Sequence, residues 1–196
     1  YISLGALNDT EKAVKVDGAE ATVDNVKAGA YKLSRPFNIA TKGEPTGVAK
    51  DFISFILSKE GQAVVTDNKY IAVNDAAESF VSDGSSGQIA VGGSSSVSPV
   101  MEKLIEAYKS VNPNASIDLQ TSDSTSGMTG AMDGTFAIGM ASRELKDEEA
   151  AQLTGTAIAL DGIAVIVNPA NTIDELSMDQ IKSIYVGDIT DWGDLA

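Results

Sequence analysis

Apolar positions along the chain follow two alternating periods. Short apolar runs such as "QIAV" (88–91), "SIDLQ" (116–120) and "FAIGMAS" (136–142) have the length and flanking turn residues of strands. Between them, apolar residues recur at helical spacing. Val100, Met101, Leu104, Ile105 and Tyr108 fall on one face of a helix opening at Ser98-Pro99, with Ser98 as N-cap and Pro99 in the first helical position. Val48, Phe52, Ile53, Phe55 and Ile56 do the same inside "PTGVAKDFISFILSKEGQAVV" (45–65), which reads as core-facing helix.

The same reading covers the rest of the chain. "YISLGAL" (1–7) is a short strand, "KAVKVDG" (12–18) a second that ends in a Gly turn, and "ATVDNVKAGAY" (21–31) a short helix stopped at Gly29. "YKLSRPFNIAT" (31–41) is extended, and Pro36 marks an edge or crossing segment rather than a central strand. Residues 74–87, "NDAAESFVSDGSSG", are small, polar and acidic, which predicts a connector that is flexible from Ser82 to Gly87. "KDEEAAQL" (146–153) is a helix, "TAIALDGIAVIVNP" (156–169) a long β stretch, and "SMDQIKSIYVG" (177–187) a final helix before "DITDWGDLA". Strands alternating with helices predict an α/β fold with a largely parallel sheet.

Composition narrows the chemistry. With 196 residues, 43% of them hydrophobic, the chain can bury a core as one large domain or two small lobes. Its 14 Lys and Arg against 28 Asp and Glu give a formal charge of -14, which repels nucleic acid and anionic membrane. A small anion held by oriented backbone N–H groups is compatible with that charge, because such groups act at hydrogen-bond range. The absence of Cys and His removes thiolate nucleophiles, Cys-ligated metals and the commonest general base. No nucleophile-elbow, Walker or EF-hand pattern is present, so the chain reads as a non-enzyme without cofactor or metal. No apolar run approaches 18 residues, and no signal peptide is read at the start of the chain.

Candidate chemistry collects at three turns. In "GGSSSVSP" (92–99), Gly92 and Gly93 let the backbone bend tightly after a strand, and hydroxyls follow at the mouth of a helix. "SDSTSGMTG" (122–130) repeats the arrangement, with Thr125 and Ser126 as hydroxyl donors and Gly127 permitting close backbone approach. "MASREL" (140–145) adds Ser142 and Arg143, a planar fork of donors for an oxyanion. In an open α/β sheet such turns lie beyond the carboxyl ends of the strands, where ligands bind. The plain alternative is a set of capping turns, with Arg143 paired to Glu144 or Asp147. The run "KDEEAAQ" reads as a solvated helix face, and Trp192 as a packing residue or a stacking surface.

Beyond these physical readings, "AVGGSSSVSPVMEKLIEAY", "STSGM", "IGMASREL", "DGIAVIVNP" and "IKSIYVGDITDWGDL" resemble the N-terminal half of the bacterial phosphate-binding proteins that serve ABC phosphate importers. "YISLGAL" and "PFNIATKGEPTGVAKDFISFILSKEGQAVV" resemble the C-terminal half of the same family. The resemblance implies a periplasmic-binding-protein-like α/β fold, with a mostly parallel sheet flanked by helices, one complete lobe and a partial second. The family order is reversed, which implies a circular permutation in which 76–87 joins the former termini and a central part of the second lobe is missing. On this reading 1–35 and 161–196 belong to the second lobe and its crossover, and 36–75 and 88–160 to the first.

The resemblance further implies inorganic phosphate as ligand, delivery to an ABC permease, and an extracytoplasmic location in the periplasm or as a cell-surface lipoprotein. Carried over to this sequence, the phosphate contacts fall on Ser95, Ser96, Thr125, Ser126, Gly127, Ser142 and Arg143, with Ser142 standing where many members carry a proton-accepting Asp. The missing part implies weakened binding unless a homodimer or complementing chain supplies it. The alternative is an engineered or split structural scaffold with no ligand binding of its own.

Overall fold

The two periods resolve, in the computed structural model, into the following elements across the described residues 1–195. First come β1 (Ile2–Ser3), β2 (Lys12–Ala13), β3 (Lys15–Val16), α1 (Val23–Lys27), β4 (Ser34–Thr41), α2 (Gly47–Leu57) and α3 (Lys59–Asp67). After the 74–87 stretch come β5 (Gly87–Ser94), α4 (Ser98–Val111), β6 (Ala115–Ser122), α5 (Ser124–Asp133), β7 (Ile138–Ala141) and α6 (Asp147–Ala150). β8 (Thr154–Ala164), β9 (Ile166–Val167), β10 (Glu175–Leu176) and α7 (Met178–Val186) complete the chain. These elements group into two units, residues 35–160 and residues 1–34 together with the segment from 161 onward.

In the 35–160 unit the strands lie in the order β8-β4-β7-β5-β6. β5 runs parallel to both neighbours, with Ser94 opposite Ser122 on β6 and Gly93 opposite Met140 on β7. β4 is antiparallel to β7, so the sheet is mixed rather than largely parallel. The edge position read from Pro36 is also corrected: β4 is an interior strand. Its register with β7 runs from Asn38 to Ala40, so the N–H that Pro36 lacks is not required there.

The core of this unit forms where the apolar faces of α2 and α4 meet the sheet. Phe52, Phe55, Met101, Leu104 and Tyr108 pack with Phe37, Ile39, Val91 and Ile138. The Tyr108 ring lies 5.0 Å from that of Phe52 and 5.5 Å from that of Phe55. Each such side chain, fully buried, contributes about 1.5–3 kcal/mol. The 45–65 stretch forms two helices rather than one continuous element. At Ser58 the backbone turns extended, and the Ser58 hydroxyl accepts from the Gly61 N–H while donating to the Phe55 carbonyl. A Cβ on Gly61 would sit 2.1 Å from the Phe55 carbonyl oxygen, so glycine is required for the sharp break.

The connector is pinned where the sequence predicts flexibility. Asp51 of α2, 3% exposed, accepts at Oδ1 from the Asp83 N–H. Its Oδ2 accepts from the Ser82 hydroxyl (2.8 Å), the Tyr108 hydroxyl (2.7 Å) and the Asn112 amide (3.1 Å). The Asn112 amide also donates to the Ser85 carbonyl. Small polar residues therefore do not leave 82–85 loose, because a buried carboxylate collects them.

In the other unit, β1 pairs antiparallel with the far end of β8, β2 antiparallel with β9, and β3 parallel with β10. The "YISLGAL" and "KAVKVDG" strands thus shrink to two-residue pieces, the first running into a 3₁₀ turn at Leu4–Ala6. Tyr31, 1% exposed, donates its hydroxyl to the Ile163 carbonyl at 2.8 Å. Ser177 and Gln180 form a capping box on α7, which ends at the left-handed Gly187. Trp192 lies half exposed beside Ile184 and Ile189, so its packing is partial. Among the described residues no helix is long and apolar enough to cross a membrane.

Burial alone would raise the Asp51 carboxyl pKa, but its hydrogen bonds overcome that effect and hold it below the ordinary value. A lowered pKa contributes stability that is fully present above the unfolded-state value, near 4 as an approximate figure, and is lost as pH falls through the folded value. Asp51→Ala is expected to destabilise the protein at pH 7 by about 2–4 kcal/mol, since it strands the Tyr108 hydroxyl and Asn112 amide. Urea unfolding at pH 7 and at acid pH checks this: the gap between wild type and variant should narrow below pH ~4.

Candidate functional site

Three parallel strands leave one edge of a sheet together, so the turns that follow them are neighbours. β5 leads to α4, β6 to α5, and β7 to the 142–146 turn before α6. The approach is made close by glycine. A Cβ on Gly93, whose φ is +134°, would sit 2.3 Å from the Met140 carbonyl oxygen and 2.9 Å from the Gly127 Cα. A Cβ on Gly127 would meet the same carbonyl at 2.6 Å and the Gly93 Cα at 2.7 Å. The backbones of β5, α5 and β7 are therefore in van der Waals contact.

At the first turn, the Ser95 N–H donates to the Ser122 carbonyl at 2.9 Å, tying this turn to the end of β6. Ser95 is exposed and Ser96 half-buried, and neither hydroxyl bonds to another described residue. The N-cap of α4 is Val97, not Ser98. Ser98 is buried as the first helical residue, and its hydroxyl faces the Ser94 carbonyl (3.2 Å) and the Thr121 hydroxyl (2.8 Å). Ser98 thus joins β5 to β6, and α4 begins with no side-chain cap on its leading N–H groups.

The second turn is organised by a residue the sequence reading passed over. Asp123 is the N-cap of α5. Its Oδ1 accepts from the N–H groups of Thr125 (2.8 Å) and Ser126 (3.0 Å), and its Oδ2 from the Ser126 hydroxyl (2.7 Å). The Ser126 hydroxyl bond, followed by the backbone bonds, holds the Asp123 carboxyl pKa below its ordinary value. Ser124, also passed over, accepts from the Ser142 N–H at 3.1 Å and so ties α5 to the third turn.

At that third turn Arg143 pairs with neither Glu144 nor Asp147 through their carboxylates. Its Nη1 and Nη2 donate to the two Glu149 carboxylate oxygens, both at 2.8 Å, and Nη1 also reaches the Glu144 carbonyl. Nη2 lies 3.5 Å from the Thr125 hydroxyl oxygen. Glu149, 2% exposed, also accepts from the Lys146 N–H, so this member of the acidic run is a buried anchor rather than a solvated charge. The Arg143 guanidinium lowers the Glu149 pKa against the opposing effect of burial, and Glu149 in turn raises that of Arg143. Asn38, buried on β4, donates its amide to the Arg143 carbonyl at 2.9 Å.

The turns thus bring Thr125, Ser142 and Arg143 together through direct or one-residue links, and place Ser95 and Ser96 beside them by strand register. Ser126 is the exception: its N–H and hydroxyl are both taken by Asp123. Two signals pointed to the residues passed over. Asp123 precedes a Ser/Thr run at a helix start, a common N-cap pattern, and Glu149 stands three residues after the start of a helical run. Chemically, the arrangement offers hydroxyl and guanidinium donors. Among the described residues no group of acidic side chains could hold a metal ion.

The PBP superfamily domain matches residues 79–196. Phosphate-binding protein PstS 2 of Streptococcus agalactiae serotype V is 52% identical over 198 residues, covering 100% of this chain and 67% of that protein. The crystal structure of a phosphate ABC transporter phosphate-binding protein from Streptococcus pneumoniae superposes with a TM-score of 0.89 at 46% identity, over 100% of this chain and 76% of that one. A phosphate ABC transporter substrate-binding protein from Clostridium perfringens, solved with bound phosphate, aligns over 56% of this chain and 45% of its own at 44% identity and a TM-score of 0.52.

Because the turns are set by backbone contact at Gly93 and Gly127, Gly127→Ala is expected to cost about 1–3 kcal/mol of stability by overpacking. Gly155, exposed and outside the left-handed region, tests the effect of an added methyl that meets only the flexible Leu145 side chain. Thermal unfolding should show a clear drop in Tm for Gly127→Ala and a smaller one for Gly155→Ala; an equal or larger drop for Gly155→Ala would show that the interlock is not what holds the turns.

Proposed function

The chain belongs to the phosphate-binding protein family within the PBP superfamily, and from that premise we propose that its three turns bind inorganic phosphate for delivery to an ABC permease. One observation carries the assignment to these residues. Hydroxyls with no partner among the described residues, at Ser95 and Ser96, lie on the strand edge that also presents Thr125 beside the Arg143 guanidinium. A tetrahedral oxyanion needs convergent donors of this kind. Thr125, Ser142 and Arg143 take the second and third sides, Gly127 gives the backbone its close approach, and Ser126 contributes once released from Asp123.

The protein is on this reading a receptor and not an enzyme, since binding needs donors and no activated nucleophile. Its place is extracytoplasmic, with a permease as partner, and no nucleic acid is involved. The units 35–160 and 1–34 with 161 onward correspond to a first lobe and to part of a second. The circular permutation, with 76–87 joining the former termini, is part of this proposal and rests on the order in which the two family halves follow one another in the sequence. The reading as an engineered or split scaffold without ligand binding is not favoured, because the relatives that cover all of this chain are named as phosphate-binding proteins. The 196 residues span about two thirds of that relative's length, and the proposed donors come from one unit. Their affinity is therefore expected to fall below that of a protein of the relative's full length, unless a second copy or a complementing chain adds donors.

Calorimetric titration of phosphate into anion-stripped protein, with sulfate as control, tests the reading. Charge-assisted hydrogen bonds contribute about 1.5–3 kcal/mol, so Thr125→Ala and an Arg143 variant should each weaken phosphate binding by about tenfold or more. Removing Arg143 alone would strand the buried Glu149 carboxylate, so the informative variant is the pair Arg143→Ala with Glu149→Gln. Unchanged affinity in both variants would show that phosphate, if bound, is held elsewhere.

A further inference from the structure

Most of the donors at the second turn are already engaged, and by a negative charge. Asp123 takes the Thr125 N–H, the Ser126 N–H and the Ser126 hydroxyl, all within 3.0 Å. These are three of the groups that an oxyanion at this turn would itself need. The same carboxylate also acts electrostatically on Arg143, whose raised pKa has Asp123 among its causes. Arg143 in turn has most of its fork committed to Glu149, so its charge is already largely compensated before an anion arrives. An incoming anion therefore meets a site in which one carboxylate occupies its donors and repels it.

We infer that Asp123 is an internal competitor of the bound anion: the α5 turn exchanges the Asp123 carboxylate for the ligand, and Asp123 sets the affinity of the site. This rests on the phosphate-binding reading above. It differs from an ordinary N-cap, whose removal changes helix stability alone. It also differs from a carboxylate that accepts a proton from the ligand, which would favour phosphate over fully ionised sulfate.

The discriminating variant is Asp123→Asn. Asn is as good an N-cap as Asp, so α5 keeps its start while the charge is removed. Removing a like charge from beside the anion and freeing its donors is expected to tighten phosphate and sulfate alike by about fivefold. Titrating both anions into wild type and variant, with circular dichroism to confirm that both are folded, reads this directly. Tightening of both anions supports the proposal. Wild-type binding that Asp123→Asn leaves unchanged overturns the proposal and leaves the phosphate reading standing. Weaker phosphate with tighter sulfate overturns it in favour of a proton-accepting role. Absence of binding in both proteins overturns the phosphate reading and the proposal together.

Discussion

The contact among Gly93, Gly127 and the Met140 carbonyl is the constraint on which the rest of the site depends. Parallel strands bring their carboxyl ends to one edge, but ordinary side chains would hold the following turns apart. Here a Cβ at either glycine would stand 2.3–2.6 Å from the same carbonyl oxygen. With none present, the start of α5 seats directly against β5 and β7. The Ser124–Ser142 bond and the approach of Thr125 to Arg143 follow from that seating. Gly92 and Gly130 serve the same end at the next layer, where a Cβ on either would lie 2.3 Å from the Phe136 ring.

The electrostatics of the site are local. A chain of formal charge -14 gives no long-range attraction to an anion. Its guanidinium is held by a buried carboxylate, so what Arg143 brings is direction more than net charge. Glu149 fixes the plane of the fork with two 2.8 Å bonds, and Asn38 fixes the backbone that carries it. Arg differs from Lys in this respect, because a planar fork can satisfy a carboxylate on one side and still present a donor on another. The two carboxylates near the site therefore act in opposite senses. Glu149 orients a donor, and Asp123 occupies donors.

What could be read from the sequence was whatever repeats or punctuates. The helical faces of α2 and α4 were legible from residues such as Phe52 and Leu104, and the three turns from their Gly and Ser clusters. The interior place of β4 was not, because Pro36 signals an edge whenever its register is unknown. The break at Ser58 was hidden because the apolar period continues across it while the Gly61 contact that demands it is tertiary. The connector misled for a related reason. Polar and small residues predict mobility only where nothing buried collects their donors, and Asp51 lies 31 positions from Ser82 in sequence. At the site, hydroxyls and Arg143 could be found from residue type, but their partners could not. Glu149 looks like an ordinary surface acid until the fold buries it, and Asp123, which stays exposed, until its bonds to Thr125 and Ser126 form.

These contacts also separate what is fixed from what is free. Arg143 is clamped by Glu149, the α4 start is tied to β6 through Ser98 and Thr121, and the far end of α4 is anchored to α2 and 82–85 through Asp51. Each anchor consumes donors in internal bonds and so removes motion from the frame. Among the described residues nothing clamps the Ser95 and Ser96 hydroxyls in this way, and Thr125 only accepts at 3.5 Å from Arg143; a hydroxyl is a rotor that can aim its proton wherever an oxygen arrives. A rigid frame carrying a few free rotors suits a small tetrahedral anion. On the proposed phosphate reading, the frame would fix where the ligand sits and the rotors would adjust to its oxygens without moving the backbone. Ordering those side chains costs little, since Ser and Thr have few rotamers to lose, so most of each new hydrogen bond remains available for binding.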